Sequence, residues 1–215
     1  MAGLLRYLRG QFEACRADPR PGLMSALVEA EEAGDKLSTD ELLAMVFLLL
    51  VAGIETTVHL LSVGTHVLLQ HDEQRARLVN DWSGIAAATD ELLRYVTPVQ
   101  MTKPRHVRSD SSLYGVDLER GQYLIAILAA ANADPEVFES PETLDLTRHP
   151  NPHVSFGRGV HSCLGLQLAR AEAETAFQQL FTRWPGLRLA VPPEKLSWSK
   201  CLGIRGLTSL PLRVR

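Results

Sequence analysis

Apolar residues recur at helical spacing through most of the first half of the chain. Residues 21–34 have a proline near their start, a glycine at their end and an apolar face, which predicts a short helix. A longer helix is predicted from Thr39 to about Gln70, because Ser38 and Glu41 have the spacing of a capping box. This segment is apolar nearly all round, which predicts that the helix crosses the protein interior.

The middle of that long helix carries an unusual group of residues, AGIETT at 52–57. A glycine within a helix costs up to about 1 kcal/mol relative to alanine. Polar side chains such as those of Glu55 and Thr56 need partners when they are buried. The pattern therefore predicts that another interaction offsets the cost of placing Gly53, Glu55 and Thr56 in an apolar helix.

The periodicity changes after Pro98, which ends a predicted helix over residues 84–96. Residues 111–132 predict a hairpin with turns near Tyr114-Gly115 and Arg120-Gly121, followed by an apolar segment. Residues 133–156 contain four prolines and little periodicity, which predicts an irregular but ordered meander. A further helix is predicted immediately after Cys163, and residues 187–214 have the pattern of paired strands.

Composition narrows the class of protein. The 215 residues are 46% hydrophobic and 22% charged, with a net charge of −3, which excludes a disordered chain and disfavours nucleic acid as a partner. Three widely spaced cysteines build neither a disulfide framework nor a CxxC metal knuckle, so a reducing compartment is expected. The longest apolar run, residues 42–54, is shorter than the roughly 18 residues of a membrane span. Since the first residues also lack a signal-peptide pattern, we expect a cytoplasmic protein with no membrane partner.

One loop, FGRGVHSCLG at residues 156–165, concentrates candidate chemistry. Its glycines allow positive φ and close approach of a bulky group, and Cys163 precedes a predicted helix whose N-terminal N–H groups favour a thiolate. A lone cysteine is also commonly a small buried hydrophobe, and a nucleophile with His161 as its base is a further alternative with awkward spacing. Zinc would need more Cys or His ligands nearby, whereas one thiolate is typical of haem iron.

Residues 156–165 resemble the haem-binding loop of the cytochrome P-450 superfamily, which reads F-G-x-G-x-H-x-C-x-G in many bacterial members. AGIETT is similar to the family's oxygen-activation sequence, and ELLR at 91–94 matches its E-x-x-R helix. The resemblance implies a mainly α fold with small β-sheets (α+β). It implies a single partial domain over 1–215, with a helical part at 1–97, a β-rich part at 98–130, a meander and ligand loop at 131–165, and a proximal helix with terminal strands at 166–215.

The resemblance also implies roles for individual residues. Cys163 is expected to bind the iron of haem b. Further haem-binding roles are implied for His161, Arg105, Phe156, Gly157, Gly159 and Gly165. Catalytic roles on the other haem face are implied for Gly53, Glu55 and Thr56. A structural network is implied for Glu91 and Arg94, with Arg148 as its third partner because Thr143 stands where many relatives have arginine. Substrate-pocket positions are implied for Ala52, Val99, Gln100, Met101 and Ile204.

The function implied by the resemblance is that of a bacterial, soluble haem-thiolate monooxygenase. Such an enzyme uses O2 and electrons from a ferredoxin or flavoprotein to hydroxylate or epoxidise a small organic substrate. Family members are considerably longer than this chain. The alternative is therefore a non-catalytic or incomplete haem-binding half that needs a partner chain or associates with itself.

Overall fold

The computed structural model describes residues 2–32 and 38–214. It divides into two compact units, Met1–Glu55 and Thr56–Arg215. The first of these is called unit 1 and the second unit 2. The predicted end of the first short helix, at Gly34, lies outside the described residues.

Unit 1 consists of helices. Helix α1 spans Ala2–Ala17, α2 spans Leu23–Glu32, and the third, α3, spans Thr39–Gln70 and continues into unit 2. The capping box predicted at the start of α3 is present, since the Ser38 N–H donates to Glu41 Oε2 at 2.8 Å and the Glu41 N–H donates to Ser38 Oγ at 3.4 Å. The core of unit 1 is formed by Leu8, Phe12, Val28, Leu42, Leu43 and Val46.

Unit 2 is built around the second part of α3 and four further helices. These are α4 at Asp72–Asn80, α5 at Ile85–Val96, α6 at Leu128–Ala131 and α7 at Leu166–Arg183. Phe177 of α7 is fully buried in the core, and a Cβ at Gly64 of α3 would lie 2.8 Å from its ring Cζ. Glycine at position 64 therefore lets the Phe177 ring pack directly on the α3 backbone.

Three small antiparallel sheets complete the described part of unit 2, and two of them, at residues 111–118 and 188–213, lie where the sequence pattern predicts paired strands. Strand β1 at Arg105–His106 pairs with β4 at Tyr123–Leu124, and β5 at Arg188–Leu189 pairs with β6 at Leu212–Arg213. Strand β2 at Ser111–Leu113 and β3 at Val116–Leu118 form the predicted hairpin. Its turn places Tyr114 at φ 50° and Gly115 at φ 78°, which is the left-handed pair that a tight two-residue hairpin requires.

The prediction that the whole of α3 crosses the interior is wrong for its middle. Val51 and Ile54 are 52% and 63% exposed, and Ala52, Gly53 and Glu55 are exposed as well. The polar residues of this segment therefore do not lie in an apolar core. By length and hydropathy α3 could cross a bilayer, but that test is also met by core helices, and its last part is buried in unit 2.

His66 on the last part of α3 gives unit 2 a predicted dependence on pH. Its ring is buried against Trp198, with the ring centroids 6.3 Å apart, and the Arg205 guanidinium carbon lies 5.0 Å from the centre of the Trp198 ring. Burial, together with the positive charge of Arg205, lowers the pKa of His66. The folded protein therefore resists protonation of this ring more than the unfolded chain does.

We expect the free energy of unfolding to fall as the pH drops below the unfolded histidine value of about 6.5, because the unfolded state then binds the extra proton. The fall should end below the depressed folded pKa, where both states are protonated. His66→Leu should reduce this fall, whereas His106→Leu at an exposed strand position should not. Urea titrations at several pH values measure it, and equal slopes in all three proteins would contradict the assignment.

Candidate functional site

The loop that carries Cys163 is an ordered turn structure at the head of α7. The Cys163 N–H donates to the Phe156 carbonyl at 2.8 Å, and the Gly157 N–H donates to the Val154 carbonyl at 2.8 Å. Gly157 and Gly159 have φ values of 68° and 79°, which residues with a side chain rarely adopt. These two glycines therefore allow the reversal that brings the Cys163 amide back to Phe156.

Cys163 itself is exposed and forms no disulfide. Val160 and Leu164, which flank it in sequence, are 97% and 78% exposed. Within residues 2–32 and 38–214 the structure has no group of three or more His, Cys, Asp or Glu side chains that could hold a metal ion. The site therefore offers a single accessible sulfur beside apolar surface, and the alternative of a buried structural cysteine is excluded.

Phe156 packs against a cluster of charged and polar side chains, Asp90, His153 and Arg170, that sequence analysis did not predict. Arg170 of α7 donates from Nε to Asp90 Oδ1 of α5 at 2.9 Å, and His153 Nε2 lies 3.5 Å from the same oxygen. The Arg170 guanidinium carbon is 5.6 Å from the centre of the Phe156 ring. Burial raises the pKa of Asp90, but hydrogen bonds and positive charge from His153 and Arg170 outweigh it and leave the pKa below its ordinary value.

Asn132, which follows α6, is a second residue that sequence reasoning missed. Its side chain is buried, its Oδ1 accepts from the Val154 N–H at 2.8 Å, and its Nδ2 donates to Ser155 Oγ at 2.8 Å and to Thr97 Oγ1 at 2.9 Å. The run ANADPEVF at residues 131–138 belongs to the family resemblance, but sequence alone gives Asn132 no role. Only the fold brings it to the start of the cysteine loop.

Glu91, Arg94 and Arg148 are brought together in one buried network. Arg94 donates from Nε and Nη2 to the two Glu91 carboxylate oxygens at 2.7 and 2.8 Å, and Arg148 Nε lies 3.1 Å from Glu91 Oε2. Arg94 also donates to the carbonyls of Asn132 and Pro141, which ties α5 to the meander. The network thus stabilises the irregular segment that leads to the cysteine loop, even with Thr143 contributing only its carbonyl.

The predicted pocket residues of unit 2 are neighbours in the structure. Val99 and Ile204 form an antiparallel bridge, and the Gln100 N–H donates to the Gly203 carbonyl at 2.8 Å. A Cβ at Gly203 would lie 3.0 Å from Met101 Cγ. The segment after α5 therefore lies beside the turn at residues 201–204. This brings together the four predicted pocket residues Val99, Gln100, Met101 and Ile204.

The remaining predicted residues lie on exposed surfaces. Ala52, Gly53 and Glu55 are on the part of α3 that belongs to unit 1, and a Cβ at Gly53 would meet open space. Thr56 is half-buried at the start of unit 2. Arg105 in β1 and His161 in the short 3₁₀ turn Gly159–His161 are exposed, which leaves both side chains accessible to an anionic group.

An exposed cysteine, held by a glycine turn ahead of a helix in a mainly helical fold with small sheets, is the arrangement of a haem-thiolate protein. The sequence profile of the family described as Cytochrome P450 matches residues 11–194. The chain belongs to the cytochrome P450 family. The prediction of this family and of its fold class is confirmed.

Individual relatives agree with this assignment. The chain is 47% identical over 206 residues to the polyketide biosynthesis cytochrome P450 PksS of Bacillus subtilis, covering 96% of this chain and 51% of that protein. It is 41% identical to the vitamin D(3) 25-hydroxylase of Pseudonocardia autotrophica, covering 99% and 53%. The solved structure of PksS superposes with a TM-score of 0.93 at 44% identity, over 99% of this chain and 55% of that one. The chain thus spans about half the length of the curated relatives it matches.

The residues present fit the family's cofactor, a haem whose iron is bound by a cysteine thiolate. Haem is a large, mostly apolar ring whose iron needs one strong protein ligand on its proximal side. Cys163 supplies an accessible sulfur, Val160 and Leu164 supply exposed apolar surface, and the exposed ring of His161 in the same loop would donate to an anionic propionate. Nothing in the described loop fills the space in front of the sulfur, which leaves Cys163 exposed.

Proposed function

We propose that this protein is a bacterial haem-thiolate monooxygenase that hydroxylates or epoxidises a small organic substrate. The observation that carries the proposal is the exposed Cys163 sulfur at the head of α7, held by the hydrogen bond from its N–H to the Phe156 carbonyl. When bound there, a thiolate-ligated haem activates O2 with two electrons and two protons. One relative, the vitamin D(3) 25-hydroxylase, is a hydroxylase, which supports hydroxylation as the reaction type.

Several residues of this chain bind and orient the haem. Cys163 binds the iron, and the glycines at 157, 159 and 165 shape its loop. His161 and Arg105 donate to the propionates, since both are exposed cationic or donor side chains. Phe156 packs beside the sulfur and is itself supported by Arg170. Together they bind and orient the cofactor.

Residues of α3 leave room for O2 and deliver protons. Ala52 and Gly53 would leave room for a diatomic ligand, because neither has a side chain larger than a methyl group. Thr56 Oγ1 would hold a proton donor on this helix, and the Glu55 carboxyl would pass protons to it from solvent. Val99, Gln100, Met101 and Ile204 line the substrate side. Electrons come from a ferredoxin or flavoprotein that docks near the cysteine loop, and the protein acts in the cytoplasm.

Replacement of Thr56 tests the proton role. In the haem-loaded, reduced protein, Thr56→Ala should increase the fraction of consumed electrons that leaves as hydrogen peroxide, because proton delivery to the oxygen is impaired. We expect the fraction to rise several-fold while O2 is still consumed. The measurement compares NAD(P)H consumed with peroxide released, using a ferredoxin and its reductase as electron donor.

Thr57→Ala is the matched control for this test. Thr57 is the next residue of α3, but its Oγ1 donates to Glu172 of α7 at 3.3 Å, which gives it a structural contact. Its replacement should leave the peroxide fraction unchanged. Equal peroxide fractions in Thr56→Ala and the parent protein would remove Thr56 from the proton path.

A second candidate function is that of a haem-binding half that acts only with another polypeptide or with a second copy of itself. The exposure of the apolar residues Val51 and Ile54 on α3 favours it, because exposed apolar patches mark interaction surfaces. The two functions differ in one observable. The monooxygenase proposal requires electron-dependent O2 consumption by the haem-loaded chain, and the second candidate requires that consumption to appear only after association.

A further inference from the structure

Asn132 is the residue that joins the start of the cysteine loop to the rest of unit 2. Only 1% of it is exposed, and every polar atom of its side chain has a partner: Oδ1 accepts from the Val154 N–H, and Nδ2 donates to Ser155 and Thr97. Its backbone is fixed as well, because its N–H donates to the Leu128 carbonyl at 2.9 Å and its carbonyl accepts from Arg94.

The partners of Asn132 are themselves fixed to α5. Ser155 Oγ donates to the Leu93 carbonyl at 2.8 Å, and Thr97 Oγ1 donates to the Arg94 carbonyl at 2.6 Å. Both carbonyls belong to the last turn of α5, and the Leu93 carbonyl accepts from the Thr97 N–H at 3.0 Å as well. The Asn132 amide thus connects the C-terminal end of α5 to residues 154 and 155.

From residues 154 and 155 the connection to Cys163 is short. The Val154 carbonyl accepts from the Gly157 N–H at 2.8 Å, and the Phe156 carbonyl accepts from the Cys163 N–H at 2.8 Å. A shift of Val154 and Ser155 would therefore move the two carbonyl groups that hold the glycine turn and the cysteine amide. No apolar side chain of similar size can replace Asn132, because the partly buried Val154 N–H would lose its acceptor.

We infer that Asn132 is a positioning residue for the Cys163 loop, acting through the Val154 and Ser155 backbone to place the sulfur for its ligand. The inference rests on the proposed function, since the ligand is the haem iron. Groups that orient a metal's protein ligand tune both its geometry and its redox potential. Asn132 contributes this orientation without touching the cofactor.

Amide hydrogen exchange in the haem-free chain tests the positioning directly. Asn132→Leu should speed exchange at the Val154, Gly157 and Cys163 amides by about tenfold or more, while amides of residues 173–181 in α7 keep their rates. Asn80→Leu at the exposed end of α4 is the matched control and should change none of them. Unchanged rates at all three loop amides in Asn132→Leu would overturn the inference.

If Asn132→Leu does not fold, Ser155→Ala tests the same inference with a smaller perturbation. Ser155→Ala removes one Asn132 partner and the bond to Leu93 but leaves the Val154 bond in place. It should speed exchange at Gly157 and Cys163 by a smaller factor, again with α7 unaffected. Uniformly faster exchange throughout unit 2 would instead indicate a purely structural role and would contradict positioning.

A second readout in the haem-loaded protein separates this inference from the proposed function. At equal haem content, Ser155→Ala and Asn132→Leu should shift the reduction potential and lower the share of thiolate-ligated carbon monoxide complex. If the parent protein shows thiolate ligation and the variants match it in both readouts, the inference fails alone. If the parent shows no thiolate ligation, the proposed function fails, and faster loop exchange still supports Asn132 as the residue that holds the loop.

Discussion

Glu91→Gln is expected to destabilise unit 2 by about 3–5 kcal/mol, which is the cost of breaking a buried ion pair by removing one partner. The Glu91 side chain is 0% exposed and faces the cations Arg94 and Arg148, together with N–H donors from Asp145 and Asn151. The amide of glutamine keeps the shape but leaves the buried Arg94 guanidinium and the partly buried Arg148 guanidinium without a counter-charge. A loss of this size is a large part of the stability of a typical domain.

Urea unfolding followed by tryptophan fluorescence measures this change in the relevant unit, because all three tryptophans, Trp82, Trp184 and Trp198, lie in unit 2. Glu73→Gln is the matched control. Glu73 makes an i,i+4 pair with Arg77 at 2.6 Å on the surface of α4, and exposed pairs of this kind contribute little. Similar destabilisation by both substitutions would mean that the Glu91 network does not hold the meander.

Phe177→Ala is expected to destabilise unit 2 by about 3–5 kcal/mol, because it deletes a large aromatic ring from a packed core. Phe177 is 0% exposed and packs against the α3 backbone at Gly64, so the cavity would open between α3 and α7. The same urea titration measures the loss. Leu168→Ala on the same helix is the control, since Leu168 is 62% exposed and should have little effect. A small loss for Phe177→Ala would show that α3 and α7 close the cavity by repacking.

Much of the fold follows from local sequence. The capping box at Ser38 and Glu41 marks the start of α3, and the helical spacing predicts its end at Gln70. The Tyr114-Gly115 turn is predictable because it needs two residues at positive φ between alternating strands. These elements are specified by neighbours in sequence, so one chain is enough to infer them.

Burial could not be inferred in the same way. The apolar middle of α3 predicts an interior helix, yet Val51 and Ile54 are exposed. An apolar face indicates that burial is favourable, but it does not identify the segment that packs on it.

The site was predictable where residues form a contiguous motif and hidden where they do not. Cys163, His161 and the loop glycines stand within ten residues, so their spacing carries the signal. Asp90 and Arg170 meet across 80 positions, and Asn132 reaches the loop across 22, so neither contact has a local pattern. Such supporting residues emerge only when the fold brings distant segments together.

The central claim, that Cys163 is a haem-iron ligand, is tested most directly by the absorption spectrum of the reduced, carbon monoxide-bound chain purified with haem. The account predicts a Soret band shifted far to the red, lost in Cys163→Ala and kept in Cys201→Ala, which replaces another exposed free cysteine. A spectrum that is the same in Cys163→Ala and the parent chain, or a failure of the parent chain to retain haem, would contradict it.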